Sequence, residues 1–437
     1  MCHTLLVVKC FKMCHTLLVV KYFCLLLEID MSEKEVAIEK VPAWYYGSKE
    51  LYDLEIERVF KRSWLNVLRE ESIPNPGDFA VVDILDTSIL ITRAKNGKVN
   101  AFHNFCTHRG TKLCIDAHGS SKNALACVYH GWVFDCEGKL VGVPREGQLW
   151  EGIDKSSLGL KPVHCDTWGG FVFVWLDDKP QYTLKEWLGP VYERTGEYLS
   201  RKTWTKFMHY EAVMECNWKF GIEAQMEGNH AEYLHMRSAP NLLPVEGIFP
   251  KPYTDPGVQG ELNVYFNAAM ADQVFTPIEA LAYKVGRGSF WEGGDVVEEQ
   301  RPDYGYVLNR EKRPDWFFDQ FTFWPNWVNF NIGGIFTVQR WWPLSPTKTF
   351  WTYEAWMDQS PRNFGEVFFV ERNKLTLRDI IAEDLAGPMF QQAVIESGKV
   401  DEFLMCNHEI LIRKMAHRIM DATGFNGPRV SSIKKAG

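Results

Sequence analysis

Apolar positions along this chain change period several times, and each change marks an element. Between 48 and 62, Leu51, Leu54, Val59 and Phe60 fall on one rough face at helical spacing, which predicts a helix. Asn75-Pro76-Gly77-Asp78 reads as a turn. After it, Phe79–Ile84 and Ser88–Arg93 read as strands, and Asn96-Gly97 closes a hairpin onto a third strand over Val99–Asn104. Gly169–Leu176 (GGFVFVWL) is a nearly unbroken apolar run, the pattern of a buried strand, and Asp177–Pro180 follows it as a linker. Strand-like runs rich in Trp and Phe recur at 262–268, 319–331, 335–342 and 348–357. Residues 366–385 and 401–422 read as helices. The order predicts an α+β chain: an all-β unit over 61–180 and a larger unit over 181–437. A helical segment over 31–60 is expected to pack on the larger unit.

Composition narrows the class. With 437 residues, 46% of them hydrophobic, the chain can bury two sizeable cores. A net charge of −8 and the lack of a basic stripe give no support for nucleic-acid binding. Four of the eleven Cys lie in the first 24 residues. Cys114, Cys136, Cys165, Cys216 and Cys406 are scattered and read as reduced thiols, which points to a reducing cytoplasm. The leader is unusual, because MCHTLLVVK stands at 1–9 and again at 13–21. Its apolar stretch over 17–27 is too short to span a bilayer, and no small-residue cleavage site precedes Met31. Residues 1–30 are therefore expected to be a dispensable or disordered extension, with Met31 as the initiator and no membrane partner.

Chemistry concentrates in two short runs. Cys106-Thr107-His108 and Cys127-Val128-Tyr129-His130 read as C-x-H and C-x-x-H. Two thiolates and two imidazoles form the ligand set of a Rieske [2Fe–2S] centre, two Cys on one iron and two His on the other. Neutral imidazole in place of thiolate raises the reduction potential. A structural zinc site more often groups its ligands as C-x₂₋₄-C and H-x₃₋₅-H, rather than one Cys and one His per run.

The stretches Asn104–Gly110 (NFCTHRG) and Tyr129–Phe134 (YHGWVF) resemble the Rieske domain of aromatic-ring-hydroxylating oxygenases, large (α) subunit. Respiratory Rieske proteins carry a disulfide beside the cluster; here the corresponding positions are Thr111 and Tyr129, so it cannot form. The resemblance covers roughly residues 40–425. It implies a helix-grip (START-like) catalytic domain, an antiparallel sheet around a long helix, holding a mononuclear Fe(II). Its ligands would be His230, His235 and Asp384, a two-His, one-carboxylate set that leaves positions open for O₂ and substrate. On a regular helix, positions five apart diverge by roughly 140°, so the two His imply a local break or helix end, with Gly228 as the weak point.

The resemblance assigns further roles. Glu227 stands where relatives usually carry Asp, bridging His ligands of neighbouring subunits; some relatives acting on quaternary ammonium substrates also carry Glu here. Glu223 stands where ring dioxygenases often carry Asn; it could hold water, act as acid or base, pair with an amine substrate, or face solvent. Met226 and Ala231 are candidate substrate contacts, and Trp324, Trp327, Phe330, Trp341 and Trp342 could line an apolar cavity.

The implied activity uses electrons from NAD(P)H, delivered by a partner flavin reductase with or without a ferredoxin. With O₂ they convert an arene to a cis-dihydrodiol. The implied assembly is a homotrimer, α₃ or α₃β₃ with a small β subunit. A second reading keeps the machinery but hydroxylates or demethylates an amine or quaternary ammonium compound. A third is a Rieske electron carrier alone, and a fourth a scaffold with degenerate sites.

Overall fold

The computed structural model describes residues 39–427, apart from 123, 239–246, 266–276, 287–307, 311, 314–315, 332–333 and 359. The duplicated leader lies outside the described residues, as does the end of the strand expected over 262–268.

Two seven-stranded antiparallel sheets organise the chain. The first runs in the order Leu65–Arg69, Phe171–Trp175, Pro162–Trp168, Val99–His103, Thr87–Arg93, Asp78–Ile84 and His118–Ser120. Phe79 pairs with Thr92, and Arg93 with Val99, so the predicted hairpins lie within a residue of their expected bounds. Gly169 and Gly170, expected to begin a strand, instead form the turn before it; their positive φ values suit the reversal from Trp168 to Phe171. A small three-stranded sheet, Leu125–Ala126, Val133–Phe134 and Leu140–Gly142, adds a separate core with Leu90, Phe102, Leu113 and Trp132.

The second sheet runs Thr205–Met214, Lys348–Met357, Ile335–Ser345, Trp327–Asn331, Trp316–Phe323, Val258–Tyr265 and Ile248–Pro252. The single run expected over 319–331 is therefore two strands. Side-chain alternation divides this sheet into two working faces. One face meets the first domain: Phe171 packs on Trp327 and Phe336, the Arg69 guanidinium lies over Phe171, Phe336 and Trp356, and Arg340 Nε donates to Asn66 Oδ1 at 2.6 Å. Trp327 thus belongs to the interdomain core rather than to a substrate cavity, and Trp342 falls on the same face by register. The opposite face carries Gln320, Gln339 and Trp341, and it meets the helix Trp218–Glu223 and the loop after it. A Cβ on Gly221 would lie 2.3 Å from Trp341 Nε1, so only glycine lets helix and sheet approach this closely.

Three further contacts fix the helices. Phe364–Glu396 is one 33-residue helix that passes through Pro388. The expected end at 385 was too early, because tertiary anchoring outweighs the break: Gln392 is buried and its Oε1 accepts from Asn217 N at 3.0 Å. Residues 401–422 are not wholly helical. Glu402–Met405 pairs antiparallel with Glu39–Pro42, and the helix begins only at Ile410. Finally, the buried Glu55 accepts from Lys219 Nζ at 2.6 Å and Trp218 Nε1 at 2.9 Å, clamping the N-terminal segment to Trp218–Glu223.

Candidate metal centres

The two Cys–His runs occupy matching loops. Gly110 N donates to Cys106 O and Cys106 N to Thr111 O; in the second loop Gly131 N donates to Cys127 O and Cys127 N to Trp132 O. Gly110 and Gly131 both have positive φ, 74° and 69°, and close the loops where another residue would be strained. The thiols of Cys106 and Cys127 are free and buried. Burial and the neighbouring Cys127 push the Cys106 thiol up, while backbone N–H groups of His108 and Arg109 work the other way. The His108 and His130 rings lie 4.6 Å apart. His108 stacks on Trp132 at 4.8 Å, and its buried Nδ1 has no hydrogen-bond partner among the described residues. A thiol pair and an imidazole pair, one of each on two matching loops, fit the donor set of a two-iron cluster. The pairs do not converge on one point as four tetrahedral zinc ligands would: among the described residues, the group whose ligand atoms lie within 4.8 Å of one another is His230, His235 and Asp384.

That second group is built from two segments. The helix Trp218–Glu223, whose N-cap Asn217 accepts from Lys219 N, ends before the histidines. A fresh single turn, Ala231–Leu234, then runs with His230 at its N-cap and His235 at its C-cap. The break expected near Gly228 thus precedes both His, and the helix end falls on His235. Gly228 leaves room for the Ile248 side chain, whose Cδ1 would lie 2.1 Å from a Cβ there and would have to shift. Asp384 arrives from the long helix Phe364–Glu396, its Oδ1 3.5 Å from His230 Nε2 and 3.1 Å from His235 Nε2. Asp384 Oδ1 is buried without a hydrogen-bond partner, as a ligand atom would be.

Both imidazoles are held from behind. Glu227 Oε1 accepts from His230 Nδ1, and Glu227 Oε2 takes the backbone N–H groups of Asn229 and His230. Glu383 Oε2 accepts from His235 Nδ1 at 2.9 Å and from Ser238 Oγ at 2.5 Å. Each Nδ1–H is thereby committed to a carboxylate, which leaves Nε2 free toward Asp384. Burial disfavours a charged His230, but Asp384 and Glu227 outweigh it and hold the ring up at about 10. Glu227 and Glu383, accepting from the Nδ1–H groups, make the neutral imidazoles stronger metal donors.

Glu227 is accordingly no surface residue, and Glu223 does not face solvent. Glu223 is buried and accepts from Tyr46 Oη at 2.8 Å. Burial pushes its carboxyl up to about 8 despite the Tyr46 hydrogen bond and nearby Lys219. Met226 sits in the main core, and Ala231 is buried as the first residue of the His-bearing turn. Glu383, Gln225 and Gln339 had no assigned role in the sequence. Glu383 left a faint signal as the second acid of an adjacent pair; the two glutamines left none.

A two-cysteine, two-histidine loop pair in one domain and a two-His, one-carboxylate set in another define a Rieske-type non-haem iron oxygenase chain. Residues 63–158 match the Rieske [2Fe–2S] domain family, and residues 201–424 match the catalytic domain of ring-hydroxylating α subunits. The chain belongs to the ring-hydroxylating α-subunit family. It is 27% identical over 395 residues to the benzene 1,2-dioxygenase α subunit of Pseudomonas putida, covering 88% of this chain and 84% of that one. It is 32% identical over 212 residues to the glycine betaine monooxygenase oxygenase subunit of Chromohalobacter salexigens, covering 47% and 45%. The chain spans about half the length of the curated relatives it matches at higher identity. In fold it is similar to the quaternary ammonium Rieske monooxygenase CntA, with a TM-score of 0.70 at 19% identity, covering 90% of this chain and 97% of that one. No helix among the described residues is long and apolar enough to cross a membrane.

Proposed function

We propose that this chain is the terminal oxygenase component of a system that cis-dihydroxylates an aromatic substrate. The convergence of His230, His235 and Asp384, reached from segments far apart in sequence, carries this reading. Cys106, Cys127, His108 and His130 would hold the [2Fe–2S] cluster, and the triad would hold Fe(II). When bound, the cluster supplies single electrons and the mononuclear iron supplies O₂ activation. Overall, arene, O₂, two electrons and two protons give the dihydrodiol, with the electrons from NAD(P)H through a flavin reductase or ferredoxin.

The chain's own residues orient and insulate. Glu227 and Glu383 fix the imidazoles, and Glu223 with Tyr46 stands as a buried proton-holding pair behind the iron-side helix. Within one chain the second sheet stands between the first domain and the iron-side helices. That arrangement favours transfer between copies in a trimer, with exposed His130 of one copy opposite Glu227 of the next. We infer a cytoplasmic placement, a reading supported by the free thiols among the described residues. A small β subunit remains a further proposed partner.

A second reading, oxidation of an amine or quaternary ammonium substrate, is favoured by Glu at 227 and by the similarity to glycine betaine monooxygenase. A pure electron carrier does not explain the second ligand set. Turnover with ¹⁸O₂ against arenes and N-methylated amines tests the choice. Two labelled atoms in a diol support dihydroxylation; one labelled atom or released formaldehyde supports the amine reading.

A further inference from the structure

We propose that Gln225 is a positioning residue that keeps Asp384 a one-oxygen ligand and so preserves an open coordination position. The inference rests on the triad reading above. Its basis is the direction of a hydrogen-bond relay crossing from sheet to site. Trp351 Nε1 donates to Gln339 Oε1 at 3.1 Å, Gln339 Nε2 donates to Gln225 Oε1 at 3.1 Å, and Gln225 Nε2 donates to Asp384 Oδ2 at 3.3 Å.

Amide oxygen and nitrogen are usually interchangeable in such a description, but here chemistry fixes both. An indole N–H can only donate, so Gln339 must turn its oxygen to Trp351 and its NH₂ to Gln225. Gln225 must then accept with its oxygen, and its NH₂ is left facing Asp384. Gln320 Nε2 holds the backbone carbonyl of Gln225 and fixes the base of that side chain. The groups that orient Gln225, namely Gln339, Trp351 and Gln320, lie on the strands Ile335–Ser345, Lys348–Met357 and Trp316–Phe323 rather than on the ligand helix.

The consequence falls on Asp384. Its Oδ1 is the oxygen beside both His Nε2 atoms, whereas Oδ2 is occupied by the Gln225 amide. A carboxylate can bind a cation through one oxygen or two, and the second mode consumes a further position. A donor held on Oδ2 by a rigid sheet opposes that second mode. Two His and one oxygen then leave the rest of the coordination sphere for reactants.

Nitric oxide serves as the probe on the ferrous holoprotein with reduced cluster, read by its S = 3/2 electron paramagnetic resonance signal. Two variants are compared with wild type: Gln225→Met, which keeps length but removes the donor, and Gln339→Glu. The latter never touches Asp384 but accepts from both neighbours, forcing the Gln225 amide to turn its oxygen toward Oδ2. The visible spectrum of the cluster and total iron report folding and loading. The expected result is unchanged iron and cluster spectrum, with a severalfold loss or a changed rhombicity of the nitrosyl signal in both variants. Wild-type nitrosyl spectra in both loaded variants would overturn the proposal, as would loss of mononuclear iron with the cluster intact, which would make Gln225 a determinant of affinity instead. Absence of any such signal in iron-loaded wild type would instead overturn the triad reading itself.

Discussion

The Cys–His loops and the triad are built by opposite strategies. Each cluster loop is a local object: five residues from Cys to Gly, closed by their own backbone hydrogen bonds and by one glycine in a left-handed conformation. The triad has no such local closure. His230 and His235 need Glu227 and Glu383 behind them, Asp384 arrives on a distant helix, and the Gln225 amide that meets its outer oxygen is itself held by Gln339 and Gln320 of the sheet. One site is written into two turns; the other exists only when helix, sheet and N-terminal clamp are assembled. Damage should therefore stay confined in the first case and spread in the second.

The largest separation comes from Cys127→Ser. It should abolish the cluster's visible and electron paramagnetic resonance signals and all coupled turnover, while mononuclear iron by metal analysis stays. Loss of both irons would erase the distinction. Next is Glu55→Ala, which strands the buried Lys219 charge behind the triad. Removing one partner of a buried pair costs about 3–5 kcal/mol, so denaturant unfolding of the catalytic domain should move earlier by that amount. The cluster spectrum should outlast it. Glu383→Ala should lower affinity for the mononuclear iron by about 10–100-fold, the usual cost of losing a carboxylate behind a ligating His, measured by chelator competition.

A further separation concerns pH. Glu223 is raised from an ordinary 4.5 to about 8, so the folded chain keeps this proton longer than the unfolded one. Its contribution to stability is full below pH 4.5 and is lost as pH rises toward 8. Glu223→Gln should flatten that slope in melting curves taken across the same range.

Legibility in the sequence followed the same division. The Cys–His runs and the hairpins around them were readable because spacing, turn residues and alternation are all local. His230 and His235 were readable only through the family resemblance, since their geometry depends on a helix ending at His235. Two misjudged stretches were settled by distant partners: Glu402–Met405 is a strand because Glu39–Pro42 lies beside it, and the long helix continues past Pro388 to a Gln392 anchored on Asn217. Trp327 looked like a cavity residue, yet alternation alone could not say that its face meets Phe171. Gln225 and Gln339 were invisible for the same reason.

Iron counting on Asp384→Ala, with the cluster spectrum recorded on the same sample, tests the account most directly. Wild type should carry three irons per chain, two from the cluster and one from the triad, and the variant two, with unchanged cluster absorption and no oxygenated product. Three irons in the variant, or undiminished turnover, would contradict a mononuclear centre held by His230, His235 and Asp384.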